Sequence, residues 1–398
     1  MIRRIALAAL MSASLLAPSV ADACTRAVYF GLEGQTVTGR SMDWFNTDMD
    51  TNMWMYPRGL ARTAGTANPV NWKSKYGSVV TTVYEGISAD GMNEAGLVAN
   101  MLYLAESQYE PARADDIRPT LPNSAWVQYI LDNYGTVAEA VAGMKAGTFR
   151  IVPVKAPTGE PGTVHLSVSD SSGDSAIFQF INGKLNVYHS REYQVMTNSP
   201  TFDQQLALNG YWKTIGGSVF LPGTNRASDR FVRASYYVNE AKQSADPRAA
   251  VATVFSIMRN VSVPIGIKIP GQPNIADTLW LTVSDQKNKA YFYQDTNSPS
   301  IIWVERKISG IPSTPARPGG EGGMLGKAKI SSSAPKARAR IVSSMSPIEI
   351  RSRASSSARA DRISDRRWGG GARAAVMGRR SWGIHRFRPQ MGLPAPEG

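Results

Sequence analysis

The sequence is poor in the groups that most often carry catalysis or cross-linking. It holds one cysteine, Cys24, among 398 residues, which excludes an intramolecular disulfide framework. It holds three histidines, His165, His189 and His385, and none lies in a recognisable Cys–His signature. No apolar run after residue 20 is long enough to span a bilayer. Net charge is also scarce where it would matter. Of the formal +13, most comes from residues 309–398, which carry 17 Lys and Arg against 5 Asp and Glu. The first 308 residues sum to +1, and to zero once residues 1–23 are set aside. Whole-chain basicity therefore says nothing about the ligand of the folded part.

What is present is concentrated near the start. Arg3 and Arg4, an apolar middle from Ile5 to Leu16 and the triplet Ala21-Asp22-Ala23 have the anatomy of a cleaved secretory signal. Cleavage after Ala23 would make Cys24 the first mature residue, with a thiol and a free α-amine on one side chain and backbone. A thiol needs a base or a lowered pKa to attack an amide. An α-amine titrates near 7.7–8.0 in the absence of perturbation and can accept that proton. Two other readings of this stretch stand beside the nucleophile: a lipoprotein acylation site, which Ala21 and Asp22 fit poorly, and an inert first residue. The protein is expected in the periplasm or outside the cell, without an integral membrane segment.

Along the chain, Thr25 to Phe30 alternates as a strand, Gly31-Leu32-Glu33-Gly34 turns, and Gln35 to Met42 returns. This hairpin brings Arg40 and Asp43 beside Cys24, where an arginine can stabilise a thiolate and a carboxylate can orient a protonated amine. Residues 44–71 read as loop. Ser78 to Tyr84 and Leu97 to Leu104 read as strands around a turn-rich link at 89–96, with Tyr103 at a buried strand end. Asn123 or Ser124 is placed to cap a helix to about Asp132, and Thr136 to Glu139 matches a capping box. Three strands of a meander follow at 164–169, 175–181 and 185–189. His165 and His189 fall in them and read as structural. Asn198, in the turn after a strand, could donate to an oxyanion or cap its own turn. Helices from about Ser228 to Ala241, with Arg230 in the first turn, and from Asp246-Pro247 to Arg259 precede strands at 278–284, 289–294 and 301–305. The order predicts an α+β protein with two antiparallel sheets packed together and helices outside. Residues 309–398 read as a disordered basic tail, and 14 Arg against 3 Lys there fit a frameshifted extension of a GC-rich gene. A nucleic-acid role for the tail is not expected.

Five motifs in order, CTR at 24–26, GRSMDW at 39–44, ADGMNEAGL at 89–97, TNSPTFD at 197–203 and ASDRFVRA at 227–234, carry a resemblance. The chain resembles the choloylglycine hydrolase family, which contains penicillin V acylases and bile salt hydrolases, and is similar to its exported Gram-negative branch. The resemblance covers about residues 24–306. It implies the N-terminal-nucleophile (Ntn) hydrolase fold, a four-layer αββα sandwich, over a domain taken as 24–308. It implies Cys24 as nucleophile with its own amine as base, Arg40 and Asp43 as thiolate and amine partners, and Asn198 with the Tyr103 backbone N–H as oxyanion donors. Arg230 would support the centre. No cofactor or metal is implied. The substrate is expected to be a small N-acyl amide: penicillin V first, N-acyl homoserine lactones second, bile salts third. A non-catalytic exported binding protein of the same fold is the alternative. The segment between Asn198 and Arg230 lacks the length of an assembly loop found in Gram-positive members, so a homo-oligomer is left open.

Overall fold

A computed structural model describes residues 24–159, 161–267, 276–305 and 339–341, the last three by backbone alone. The chain divides into two units, Met1–Ile350 and Arg351–Gly398, and all described residues belong to the first. The expected signal segment 1–23 and almost all of the expected tail lie outside the described residues.

The chain opens on a hairpin of β1 (Thr25–Phe30) and β2 (Thr36–Trp44). In its turn Glu33 and Gly34 take positive φ. Next come β3 (Asn52–Tyr56), a small pair β4 (Ala61–Thr63) and β5 (Asn71–Lys73), then β6 (Ser78–Val83), β7 (Ile87–Asn93) and β8 (Val98–Tyr103). Strand β9 (Thr120–Pro122) leads through a short 3-10 turn at Asn123–Ala125 into α1 (Trp126–Asn133), α2 (Val137–Lys145) and β10 (Arg150–Val152). The meander is β11 (Val164–Ser169), β12 (Ser175–Ile181) and β13 (Lys184–His189). Then follow β14 (Val195–Thr197), α3 (Phe202–Ile215), α4 (Ala227–Glu240) and α5 (Pro247–Asn260). The last strands are β15 (Asp277–Asp285), β16 (Ala290–Asp295), β17 (Ile301–Glu305) and β18 (Ala339–Ile341).

Two sheets form. One runs β14-β1-β2-β15-β16-β17 and is antiparallel throughout. The other runs β13-β12-β11-β8-β7-β6-β3-β18 and is antiparallel except where β18 joins β3. Helices α1 and α2 cover the outer face of the larger sheet, where Trp126, Ile130, Leu131 and Val141 pack with Ala99, Leu166 and Phe178. Helices α4 and α5 cover the smaller sheet, where Phe231, Val254 and Met258 pack with Ala27, Tyr29 and Val37. The layering is the expected αββα sandwich.

Strand β2, within the smaller sheet, has α5 on one face and the larger sheet on the other, and all nine of its residues are buried. Alternation of side chains along a strand decides what each one meets. Val37, Gly39, Ser41 and Asp43 face the helices. Gly39 marks the closest approach: a Cβ there would lie 2.6 Å from side-chain atoms of Val254 and Met258, so α5 can seat on β2 only over a glycine. Thr38, Arg40, Met42 and Trp44 face the other sheet. This two-faced pattern places the site.

Several local expectations are corrected. Residues 89–93, with their Asp, Gly and Asn, are part of β7 and not a turn. Burial overrides turn propensity there because the polar groups are satisfied: Asp90 accepts from Asn100 and from the Tyr291 hydroxyl, each at 2.6 Å. Residues 44–71 contain β3, whose Met53 and Met55 enter the core. Neither Asn123 nor Ser124 caps α1, whose first residue follows the 3-10 turn. Thr136 does cap α2, accepting from the Glu139 N–H at 3.2 Å. Helix α3 was not legible in the pattern, since Leu208, Tyr211 and Ile215 leave part of its apolar surface exposed.

Candidate active site

Cys24 precedes β1 and is 2 % exposed. The register Thr25↔Ser41 sets it opposite Met42 at the end of the hairpin. Its side chain therefore shares the inter-sheet face with Arg40 and Met42. Arg40 Nη2 lies 3.8 Å from Cys24 Sγ, and the same nitrogen donates to the Met101 carbonyl at 3.1 Å. The guanidinium stacks on Trp280, 4.3 Å from the ring centre, which holds its plane. Cys24 Sγ also approaches the Asp43 carbonyl at 3.6 Å.

Asp43 points the other way, under α4. Its Oδ2 pairs with Arg230 Nη1 at 3.1 Å, both side chains fully buried. Its Oδ1 accepts from Thr278 Oγ1 at 2.5 Å, and Ser41 Oγ is 3.4 Å from Oδ2. Thr278 stands directly opposite Asp43 in the β2–β15 register, just before a bulge at Thr278/Trp280. Arg230, in the first turn of α4, also donates to Thr25 Oγ1 and, through Nε, to the Asn225 carbonyl at 3.0 Å. Burial pushes the Asp43 carboxyl up to about 6, against the opposing pull of Arg230, Thr278, Arg40 and Ser41. Burial likewise pulls the Arg230 guanidinium below its ordinary value, while Asp43 and Cys24 act to raise it.

The other two candidates meet each other. Thr197 of β14 lies opposite Thr25 of β1, so Asn198 follows beside Cys24. Asn198 is 1 % exposed, and its Nδ2 donates to the Tyr103 carbonyl at 2.7 Å. The Leu104 N–H bonds to the Thr163 carbonyl at 3.0 Å. Hydrogen-bonding direction alternates along an antiparallel strand, so the Tyr103 N–H and C=O both turn away from β11, toward Asn198. An amide nitrogen carries two donors, so Asn198 keeps a second N–H beyond the one given to Tyr103. Gln205 of α3 holds this turn, donating to the Asn198 carbonyl and to the Pro200 carbonyl, the latter at 2.7 Å.

All six residues singled out from the sequence therefore converge at one end of the sandwich. Sequence reasoning missed Thr278, Trp280, Ser41, Thr25, Met101 and Gln205. Thr278 and Trp280 lie in a strand that was expected, but no local signal marks them as partners of Asp43 and Arg40. Arg26, in the CTR motif, was not singled out either. It lies opposite Arg40 and ties the sheets together through the Tyr193 carbonyl at 3.0 Å and Ser175 Oγ at 3.0 Å. His165 and His189 stay outside, as expected, and His385 lies outside the described residues. His165 is buried against Gln179 at 2.8 Å, and burial pushes its imidazole down to about 3, so it is neutral and weakly basic at neutral pH. His189 pairs with Asp174 at 2.8 Å. No group of acidic, His and Cys side chains suited to a metal ion occurs among the described residues.

Beside Cys24 lies a pocket with mostly apolar walls. Met42, Trp44, Val83, Ile87, Leu102 and Tyr103 are among its lining residues. Tyr103 meets Trp44 edge-on at 6.2 Å. A buried sulfur, a cation on it, a carboxylate one strand position away, amide donors opposite and an apolar pocket together suit attack on the carbonyl of an apolar acyl group.

Comparison with known proteins points to the same chemistry. The chain is 48% identical over 320 residues to a penicillin V acylase of Pectobacterium atrosepticum, covering 75% of this chain and 85% of that one. It is 24% identical over 307 residues to a bile salt hydrolase/transferase of Bifidobacterium longum, covering 70% and 93%. Among solved structures, penicillin V acylase from Agrobacterium tumefaciens superposes with a TM-score of 0.66 at 53% identity, over 71% of this chain and 86% of that one. A mutant of the conjugated bile acid hydrolase from Clostridium perfringens shares the fold, with a TM-score of 0.61 at 23% identity over 72% and 94%. Residues 24–311 match the family described as linear amide C-N hydrolases, choloylglycine hydrolase family. The chain belongs to that family and is a linear amide C–N hydrolase of the penicillin V acylase type.

Proposed function

We propose that this protein is an exported cysteine-nucleophile amidohydrolase that removes the side-chain acyl group of penicillin V, with long-chain N-acyl homoserine lactones as a second substrate class. The observation that carries the reading is the contact set of Cys24: Arg40 at 3.8 Å from its sulfur, and the buried Asp43–Arg230 pair behind it. The 48% identity to a penicillin V acylase supports the choice of acyl amide. Bile salts rank third, on the weaker 24% identity.

In the proposed cycle a signal peptidase cuts after Ala23 and frees the Cys24 amine. The amine takes the thiol proton, directly or through one water, and Arg40 stabilises the thiolate. Sulfur attacks the acyl carbonyl, and the oxyanion rests on Asn198 Nδ2 and the Tyr103 N–H. The ammonium returns its proton to the leaving nitrogen as the C–N bond breaks, leaving an acyl thioester. Water, deprotonated by the same amine, hydrolyses the thioester and restores the thiol. Asp43 holds the ammonium form. His165, buried outside the site and pushed down to about 3, is too weak a base to replace the amine at neutral pH.

The deciding measurement is kcat/KM for penicillin V, a decanoyl homoserine lactone and glycocholate, alongside intact mass of the purified protein. Penicillin V is expected to lead, with a mass beginning at unmodified Cys24. A lipidated Cys24 or hydrolysis confined to bile salts would overturn the reading. Two further outcomes follow from the site. Asn198→Ala is expected to lower kcat by about 10²–10³-fold while KM moves little, because the donor acts on the oxyanion. Burial pushes the Asp43 carboxylate up to about 6, so beyond the loss from protonating the α-amine at higher pH, activity falls further as pH drops through that value. A rate profile flat down to pH 4.5 would contradict this assignment.

A further inference from the structure

We propose that Asn123 is a specificity-determining residue that fixes the depth of the acyl pocket by clamping Val154 to Gly162 in the connection between β10 and β11. The inference rests on the amidohydrolase reading above.

Asn123 lies in the 3-10 turn before α1 and is 2 % exposed. Its side chain does not cap the helix; it reads both ends of a chain segment between β10 and β11. Oδ1 accepts from the Val154 N–H at 3.1 Å, and Nδ2 donates to the Gly162 carbonyl at 2.5 Å. The Tyr109 hydroxyl braces the same point, 3.1 Å from Asn123 Nδ2 and 3.2 Å from the Gly162 carbonyl. The neck is closed tightly. A Cβ on Gly162 would lie 1.9 Å from the Val154 carbonyl oxygen and 3.0 Å from Asn123 Nδ2, so only glycine permits this approach. Val154, Ala156, Pro161, Gly162 and Asn123 line the same pocket as Cys24. Trp44 and Tyr84 line it too. There the Trp44 indole donates to the Tyr84 hydroxyl at 2.8 Å, and that hydroxyl is 3.5 Å from Thr158 Oγ1. One amide thus holds together Val154 and Gly162, both of which line the pocket.

Losing the clamp frees the Val154 N–H and leaves the Gly162 carbonyl only its bond from the Tyr109 hydroxyl, so the neck can widen. A compact aromatic acyl group then loses a preorganised wall, while a long linear chain gains room. A pocket contact of this size commonly changes discrimination by about tenfold or more.

The test compares the processed native protein with Asn123→Ala and with the isosteric Asn123→Asp, which keeps the acceptor and loses the donor. Substrates are phenoxyacetyl and dodecanoyl amides of one amine. The kcat/KM ratio of compact to long acyl group is expected to fall about tenfold in both variants, through KM, with kcat on the compact substrate nearly retained. Equal losses on both acyl groups, or an unchanged ratio in a folded variant, would overturn the inference while leaving the amidohydrolase reading intact. No amide cleavage by the native protein would sink both.

Discussion

Cys24→Ala in the processed chain is expected to lower hydrolysis by about 10⁴–10⁶-fold, the loss usual when a nucleophile is removed from a set of groups that act as one. Binding should survive, because Cys24 is only one of the residues lining the pocket, and strands β2, β6, β7 and β8 with Val154, Ala156, Pro161 and Gly162 supply most of the rest. The sharper test keeps the thiol and removes its base. A chain with one or two uncleavable residues ahead of Cys24 retains the sulfur, Arg40 and the oxyanion donors, but its nitrogen is an amide. Loss of general-base assistance is expected to cost about 10²–10⁴-fold. Rates should be read under single-turnover conditions, with iodoacetamide labelling to count accessible thiols. Full activity in the extended chain would mean that another group accepts the proton.

Arg230→Met is expected to destabilise the fold by about 3–5 kcal/mol, because it strands a fully buried carboxylate. The deficit should depend on pH. Without Arg230, the Asp43 pKa in the folded state rises further above its unfolded value of roughly 3.9. A raised acid pKa adds stability that is fully present below the unfolded pKa and is lost as pH rises through the folded one. The variant should therefore approach the native protein in acid and fall behind it at neutral pH, in urea unfolding followed by circular dichroism. Adding Asp43→Asn should restore much of the stability and none of the activity. A deficit independent of pH would show that α4 packing, and not the ion pair, is what Arg230 supplies.

The first twenty residues of the folded chain were the most legible. Period-two alternation and a Gly-Leu-Glu-Gly turn sufficed to bring Arg40 and Asp43 to Cys24, because a hairpin makes distant positions neighbours by local rules alone. Asn198 and Arg230 were reached by their motifs and their resemblance to a family, not by any local geometry. The partners Thr278 and Trp280 come from a strand more than 230 residues away, and pairing between remote strands leaves no mark on either one. Residues 89–93 misled for the opposite reason. Their composition signals a turn, and only the hydroxyl of Tyr291 and the amide of Asn100, brought in by tertiary packing, make Asp90 acceptable inside a sheet. Helix α3 failed the periodicity test because its buried contacts include Gln205 and Asn209, polar residues that no apolar stripe would flag.

The two-sided character of β2 has an evolutionary corollary. Inserting or deleting one residue between Thr36 and Arg40 would turn the guanidinium toward the helices and the carboxylate toward the opposite sheet, ruining both halves of the centre in one mutational step. Drift in chain length should thus be forbidden in this strand, and any lineage descended from this protein should record its insertions and deletions elsewhere, in the connections at the sandwich's rims.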